Sequence, residues 1–346
     1  MAVSAPLMLA NTPDLVDRAF QNIYKKTSEP ENKYKKYFNF RTTTDLYEKD
    51  SGLSGLAEAD YVVENGVVHV DVPIQTFDKT YTQTQIDHMV SFSKMVWMFG
   101  ITKRKLQMNA TELKAAIARK REKLCAEYLD NGFESTSYSH TGYAVTTTIN
   151  TAGGDGEGPF DDDHSREDGG TDMNNILYDG TTYNLPAGYA ALKAYDRTFS
   201  LMKDPRGNPR PGSLTHIVAK KGSSAAHTFK EILGAIKKGR IPESFDSDAA
   251  AVGSFELIEL DYLANDAYHF GFDSSRALTD MEGFQFIEAQ SPTLKEQHIV
   301  LKTSEIQYKI ESVSTHGGPI VWPWLIKFVN SVNLLFRTIP SQALVY

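Results

Sequence analysis

Residues 59–74, ADYVVENGVVHVDVPI, carry the reading on which the fold of this chain turns. Asn65-Gly66 sits between two β-branched runs, the strongest short-range hairpin signal, because a type I′ turn needs positive φ at both central residues. A two-residue turn there pairs Val63 with Val68 and Tyr61 with Val70. One face of the ribbon is then Tyr61, Val63, Val68, Val70 and Val72, and the other carries Glu64, His69 and Asp71. A lone two-stranded ribbon is marginal in water, so this apolar face needs a covering surface elsewhere, in this chain or in another subunit.

Before the ribbon, residues 1–45 combine an amphipathic pattern (Leu15, Ala19, Phe20, Ile23, Tyr24) with TSEPENKYKKYFNFRTTT, residues 27–44. The second part has no clean periodicity and reads as an extended arm lying on something else. Its bases, part of seven between Arg18 and Arg41, suit a solvated surface or an arm facing nucleic acid or a partner. After the ribbon, FDKTYTQTQIDH (77–88) reads as a polar bridge and MVSFSKMVWMFGI (89–101) as core or a buried contact.

NATELKAAIARKREKLCAEYLDNG, residues 109–132, predicts a long helix with both ends marked. Asn109 and Glu112 have capping-box spacing, and Gly132 after Asn131 is a stop. Leu113, Ile117, Leu124 and Tyr128 form a narrow stripe with Ala116 beside it, so the helix is expected to pack along one edge and stay exposed elsewhere. Residues 133–182 are rich in Gly, Ser, Thr and Asp, with one strand-like run at YAVTTTI (143–149). Helices are expected within 187–204 and 223–239, the first ended by the turn-forming PRGNPRPG (205–212). LTHIVAKK (214–221), FELIELDYL (255–263), YHFGFD (268–273), FQFIEA (284–289) and HIVLKTSEIQYKIESV (298–313) read as strands. This order is α+β rather than strictly alternating α/β.

The chain has 346 residues and a net charge of −8, so no overall basic field recruits nucleic acid. Cys125 is the only cysteine, which excludes an intrachain disulfide framework and points to a reducing compartment. The start lacks a basic n-region and is not read as a signal peptide. The most apolar segment, 317–336, is broken by Pro319, Pro323, Lys327 and Asn330 and is expected to be packed structure rather than a membrane span.

No phosphate loop, H-E-x-x-H or nucleophile elbow is present in the sequence. GPFDDDHSREDGG (158–170) is the most chemical stretch: eight acids fall between Asp155 and Asp172 against one base, Arg166. Such acids suit Mg²⁺ or Ca²⁺, but an EF-hand register from Asp161 puts Arg166 where glycine is required. A solvated, mobile loop is expected, with a structural cation as the alternative. A metal-dependent hydrolase using Asp161, Asp162, Asp163 and His164 is the distant one. The histidines have no ligand-spaced pair, and Cys125 reads as a buried inert thiol. No catalytic, cofactor-binding or metal-ligating residue is assigned.

The order of segments and several stretches resemble the major capsid protein of tailed bacteriophages, most of all the Mu-like major head subunit family. The stretches are LVDRAFQNIYKK (15–26), NGVVHVDVPIQTFDKTYTQTQID (65–87), GPFDDDH (158–164), the run from YAALKAYDRTFSLMKD through KKGSSAAHTFKEIL (189–233) and IQYKIESVSTHGGPIVWPWLIK (306–327). Together they span about residues 14 to 330, and the block KDPRGNPRPGSLTHIVAKK (203–221) is the most particular of them.

The resemblance implies an N-terminal arm at 1–45, an extended hairpin loop at 46–80 and a peripheral domain at 81–184 with a spine helix at 110–131. An axial domain would follow at 185–290, with a return to the peripheral domain at 291–346. It further implies a non-enzymatic shell protein that assembles into pentamers and hexamers of an icosahedral or prolate head. Tyr61, Val63, Val68, Val70 and Val72 would then be assembly contacts on a neighbour. Expected partners are further copies of the chain, portal and scaffolding proteins and loosely held double-stranded DNA, with no cofactor and no membrane. The place would be the virion, after assembly in the host cytoplasm. An encapsulin-like nanocompartment shell is the near alternative.

Overall fold

A computed structural model describes residues 13–319 and 325–329, except 29, 54–55, 57–58, 60, 73–74, 97, 99–102, 134, 144, 167–168, 177–185, 205, 238–254, 280–281, 296–297 and 301. Most of the apolar 317–336 segment and the first twelve residues thus lie outside the described residues. One sheet has five strands: β1 (Phe38–Thr42), β4 (Thr84–Phe92), β10 (Phe284–Leu294), β11 (His298–Val300) and β12 (Glu305–Gly317). β12 lies at its centre, antiparallel to β10 on one side and to β4 on the other, while β1 runs parallel to β10. A second sheet is ordered β13 (Leu325–Val329), β9 (Tyr268–Phe272), β7 (His216–Lys220), β8 (Glu256–Leu260). Two ribbons stand apart, β2 (Tyr47–Leu53) with β3 (Gln75–Thr82) and β5 (Ser137–Thr141) with β6 (Thr146–Asn150). The expected α+β class is the one observed, because antiparallel and parallel pairs mix in both larger sheets.

Helix α1 (Pro13–Lys26) buries Val16, Phe20 and Tyr24, a spacing of four that puts all three on one side. Phe20 stacks on Tyr308 of β12 at 4.2 Å between centroids and meets Phe92 of β4 edge-on at 6.2 Å. The residues after α1, expected as an arm lying elsewhere, instead belong to their own chain's core. Tyr34 within a 3₁₀ turn (Lys33–Lys36), Tyr37 at its C-terminal end and Phe38 of β1 are fully buried. The arm's bases pair inward as well: Lys33 with Asp261 at 2.9 Å, Lys36 with Glu256 at 2.7 Å, and Arg41 with Asp50.

Helix α2 (Lys103–Asn131) begins six residues before the expected Asn109 cap. Asn109 is inside the helix, its side-chain amide donating to the Lys105 carbonyl at 2.9 Å. The expected apolar edge is present in Leu113, Ile117, Leu124 and Tyr128, but Arg121 and Glu122 are also buried. Exposure on the opposite side fails there because the helix is enclosed between the arm and the large sheet. Glu122 accepts the backbone N–H groups of Lys33 (2.9 Å) and Tyr34 (3.4 Å) and so anchors the arm. Burial pushes its carboxyl pKa up, partly offset by those two amides. Arg121 reaches across to Glu288 of β10 and Ser312 of β12.

Two expectations between 77 and 101 also change. The polar bridge is strand: β3 and β4 occupy it, with Lys79, Tyr81 and Gln83 buried on alternate positions. In the apolar run after it, Phe92 is core but Met89, Met95 and Val96 are 48%, 69% and 37% exposed. Further helices are α3 (Tyr189–Leu201), α4 (Ser224–Lys237) and the single-turn α5 (Ser274–Ala277). Leu192, Tyr195 and Phe199 of α3 pack with Phe229 and Ile232 of α4 and Ile217 of β7. Gly271 of β9 is required there, since a Cβ would lie 2.5 Å from the Tyr195 ring.

Candidate assembly surface

The loop between β2 and β3 carries a cluster of exposed apolar residues. Its base is a true ladder, from Tyr47 opposite Thr82 to Leu53 opposite Gln75. Beyond it the expected pairing of Val63 with Val68 and Tyr61 with Val70 does not form: residues 61–72 contain no strand. The turn closes one residue early, with Gly66 N–H donating to the Val63 carbonyl at 2.7 Å, and among these residues only Asn65 has positive φ, at 65°. A Cβ at Gly66 would meet that carbonyl at 2.9 Å, so the glycine serves close approach rather than a left-handed backbone. The two arms are splayed around a gap of about 610 Å³ lined by Tyr61, Val62 and Val67–Val70.

The five expected contact residues are all outside the core: Tyr61 106%, Val63 78%, Val68 65%, Val70 79% and Val72 65% exposed. Val62 and Val67 are exposed too, so the apolar character surrounds the tip instead of occupying one side. Contiguous exposed apolar patches are found at protein or membrane contacts, at ligand grooves and at aggregation-prone surfaces.

The base of the loop touches the turn at 203–210. Arg206 donates to the Asp71 carboxylate at 2.6 Å and to the Val72 carbonyl at 3.1 Å, and Asn208 donates to the Leu56 carbonyl at 3.2 Å.

The acidic stretch is the expected solvated loop only in part: residues 158–161 and His164 are buried, whereas Asp162, Asp163, Ser165 and 169–172 are exposed. Phe160 is fully buried against Phe270 and Phe284, and its N–H donates to the Gly132 carbonyl at 2.9 Å. Asp155 and His164, both with side chains 1% exposed, pair through Nδ1 at 2.7 Å. The Asp161 N–H donates to the Asn175 side chain at 2.9 Å, and Asn175 in turn donates to the Pro159 carbonyl at 2.8 Å. Asp162 and Asp163 point outward and are exposed. The buried residues 158–161 and His164 thus form a plug between the end of α2 and the core, closed by a His–Asp pair that sequence spacing does not reveal. Carboxylate oxygens of Glu157, Asp161 and Asp163 lie within 4.8 Å of one another. Burial, then the hydrogen bond with Asp163, raises the Asp161 pKa to about 6.

Among solved structures, the capsid of Ralstonia phage GP4 matches with a TM-score of 0.50 at 11% identity, over 92% of this chain and 94% of that one. The fold is the phage major capsid fold. Also similar are the procapsid of bacteriophage JBD30 (TM-score 0.46, 13% identity, 94% of this chain and 78% of that one) and a virus-like particle from Pyrococcus furiosus (0.45, 9%, 91% and 98%). No family model and no curated protein matches the sequence.

Within the capsid fold, a cavity of about 570 Å³ opens between β3, β4, α2 and the β5–β6 ribbon. Lys79, Lys120, His140 and His316 are its basic lining. His140 joins the ribbon to α2, its Nδ1 2.6 Å from Glu127 Oε2 and its Nε2 meeting Lys120 Nζ. Burial lowers the Lys79 pKa to about 8 against the pull of Asp155. Burial, then the charges of His140 and Lys120, lowers the His316 pKa to about 4, and its buried Nε2 meets no hydrogen-bond partner among the described residues. Since the folded pKa lies below the ordinary value near 6.5, the unfolded chain binds the proton first and stability falls as pH drops from about 6.5 towards 4. Relative to His316→Gln, the unaltered chain should lose about 2 kcal/mol between pH 7 and 5 in urea melts. An identical pH response in both chains would contradict a buried neutral imidazole.

Proposed function

We propose that this chain is the major head subunit of a tailed phage, a structural protein that closes into an icosahedral or prolate shell around double-stranded DNA. What carries this reading is the capsid fold extending over nearly the whole chain. The exposed apolar loop tip supports it, being a surface that a monomer leaves uncovered. In this assignment residues 81–184 and 291–346 form the peripheral domain and 185–290 the axial domain, with Tyr61, Val63, Val68, Val70 and Val72 contacting a neighbour. The resemblance of the stretches 65–87 and 203–221 to the Mu-like major head subunits supports a subunit of that group. Repeated heterologous contacts then generate pentamers and hexamers that close by symmetry.

Portal and scaffolding proteins are the further partners, and assembly takes place in the host cytoplasm before the subunit becomes part of the virion. The net charge of −8 suits a wall that encloses DNA without gripping its phosphates. No group is assigned a catalytic role: Asp155, Asp161 and His164 act as internal ties of the plug. Sedimentation velocity tests the proposal. The expected species are five- and six-copy capsomers or far larger particles; a monomer that persists at every protein concentration and ionic strength would defeat it.

A further inference from the structure

We propose that the turn at 203–210 is a clamp that fixes the direction in which the apolar loop tip is presented to a second copy. The β2–β3 ladder ends at Leu53 opposite Gln75, and the clamp takes hold three residues further out on each arm. Asn208 holds the outgoing arm at the Leu56 carbonyl (3.2 Å). Arg206 holds the returning arm twice, at the Asp71 carboxylate (2.6 Å) and the Val72 carbonyl (3.1 Å). The fork geometry of guanidinium is what allows one side chain to fix both a position and an angle. The Arg206 and Asp71 side chains are 16% and 22% exposed, so the pair is partly sheltered from screening.

The clamp is itself organised before it touches the loop. The buried Asp204 carboxylate accepts the N–H groups of Arg206 (3.0 Å) and Asn208 (2.8 Å) and the Asn208 side-chain amide (2.9 Å). Gly207, at φ 84°, lets the chain reverse between them, and Asp204 N–H closes the turn on the Asn208 carbonyl at 2.9 Å. The turn is rooted through Arg210 N–H on the Met202 carbonyl and Gly212 N–H on the Phe199 carbonyl, both 2.9 Å, and Met202 and Phe199 are core residues of the α3–α4 cluster. The loop's aim is therefore tied to the body that carries α3 and β7. Asp204, Arg206 and Asn208 are positioning residues: none belongs to the apolar tip they direct.

That aim matters to assembly only if the chain forms shells, so this part rests on the proposed function, while the clamp itself can be tested in the dissociated subunit. Spin labels placed by Val68→Cys at the tip and Glu231→Cys on α4 report the tip's position by electron–electron double resonance; the native Cys125 is buried. The expected distance distribution is narrow in this background and at least about twofold broader with Arg206→Ala or Asp71→Asn. Arg206→Ala with Asp71→Asn should broaden it no further than Arg206→Ala alone, because the Asp71 contact is already lost with the guanidinium. Arg206→Lys keeps the charge without the fork and should fall between. Unchanged width in Arg206→Ala, with the melting temperature also unchanged, would overturn the clamp. In unlabelled protein, Arg206→Ala should yield particles of mixed diameter. Uniform particles despite a broadened tip would overturn the link from aim to assembly and leave the shell proposal standing, whereas failure of the unaltered chain to form particles would strike the shell proposal and not the clamp.

Discussion

Val68→Asp or Val70→Asp is expected to leave a folded, soluble subunit that forms no shells. Both side chains are already in water in the subunit, 65% and 79% exposed, so the fold loses nothing beyond about 0.5 kcal/mol. At a covered interface each valine contributes roughly 2 kcal/mol of apolar burial, and the introduced carboxylate must also be dehydrated. That is about a 30-fold loss in each pairwise contact, repeated in every copy of the shell. Circular dichroism checks the fold and sedimentation checks the assembly. Particles of normal yield and size from either variant would remove the loop tip from the interface.

The largest effect on the subunit itself is expected from Glu288→Ala. Arg121 and Glu288 are 5% and 7% exposed, and Arg121 also bonds Ser312, so the guanidinium links α2 to β10 and β12. Deleting the carboxylate strands a buried cation, which costs about 3–5 kcal/mol, while replacing both partners with apolar residues costs far less. The Arg121→Met, Glu288→Leu double variant should therefore recover most of the loss in urea denaturation. A single variant within about 1 kcal/mol of the unaltered chain would show that the pair is not a structural tie.

Much of the architecture is legible in local pattern. β7, β9 and β12 follow from their apolar or alternating runs, and α3 and α4 from their periodicity, because these segments pack on neighbours whose demands match their own propensities. The misses arise where packing from distant segments overrides composition. Arg121 and Glu122 look like solvent-facing helix residues until the arm and β10 close over them. The aromatics at Tyr34, Tyr37 and Phe38 were the available sign that the arm is core, but no period organises them. Phe160 within a run of acids carried a similar sign for the plug. The His164–Asp155 contact could not be read, since it depends on the chain reversing at Gly156, φ 91°.

At the loop, Asn65-Gly66 gives the place of the reversal correctly and its geometry wrongly. The turn forms over Val63–Gly66, and with no third strand to support them the arms separate. The side chains named from the hairpin pattern are exposed all the same, because valine occupies both alternations of the tip.

Negative-stain electron microscopy of the purified protein tests the central claim most directly. Closed, regular shells of uniform diameter are expected, whose contents distinguish packaged DNA from protein cargo. Fields of dispersed monomers or irregular aggregates across protein concentration, salt and pH would contradict it.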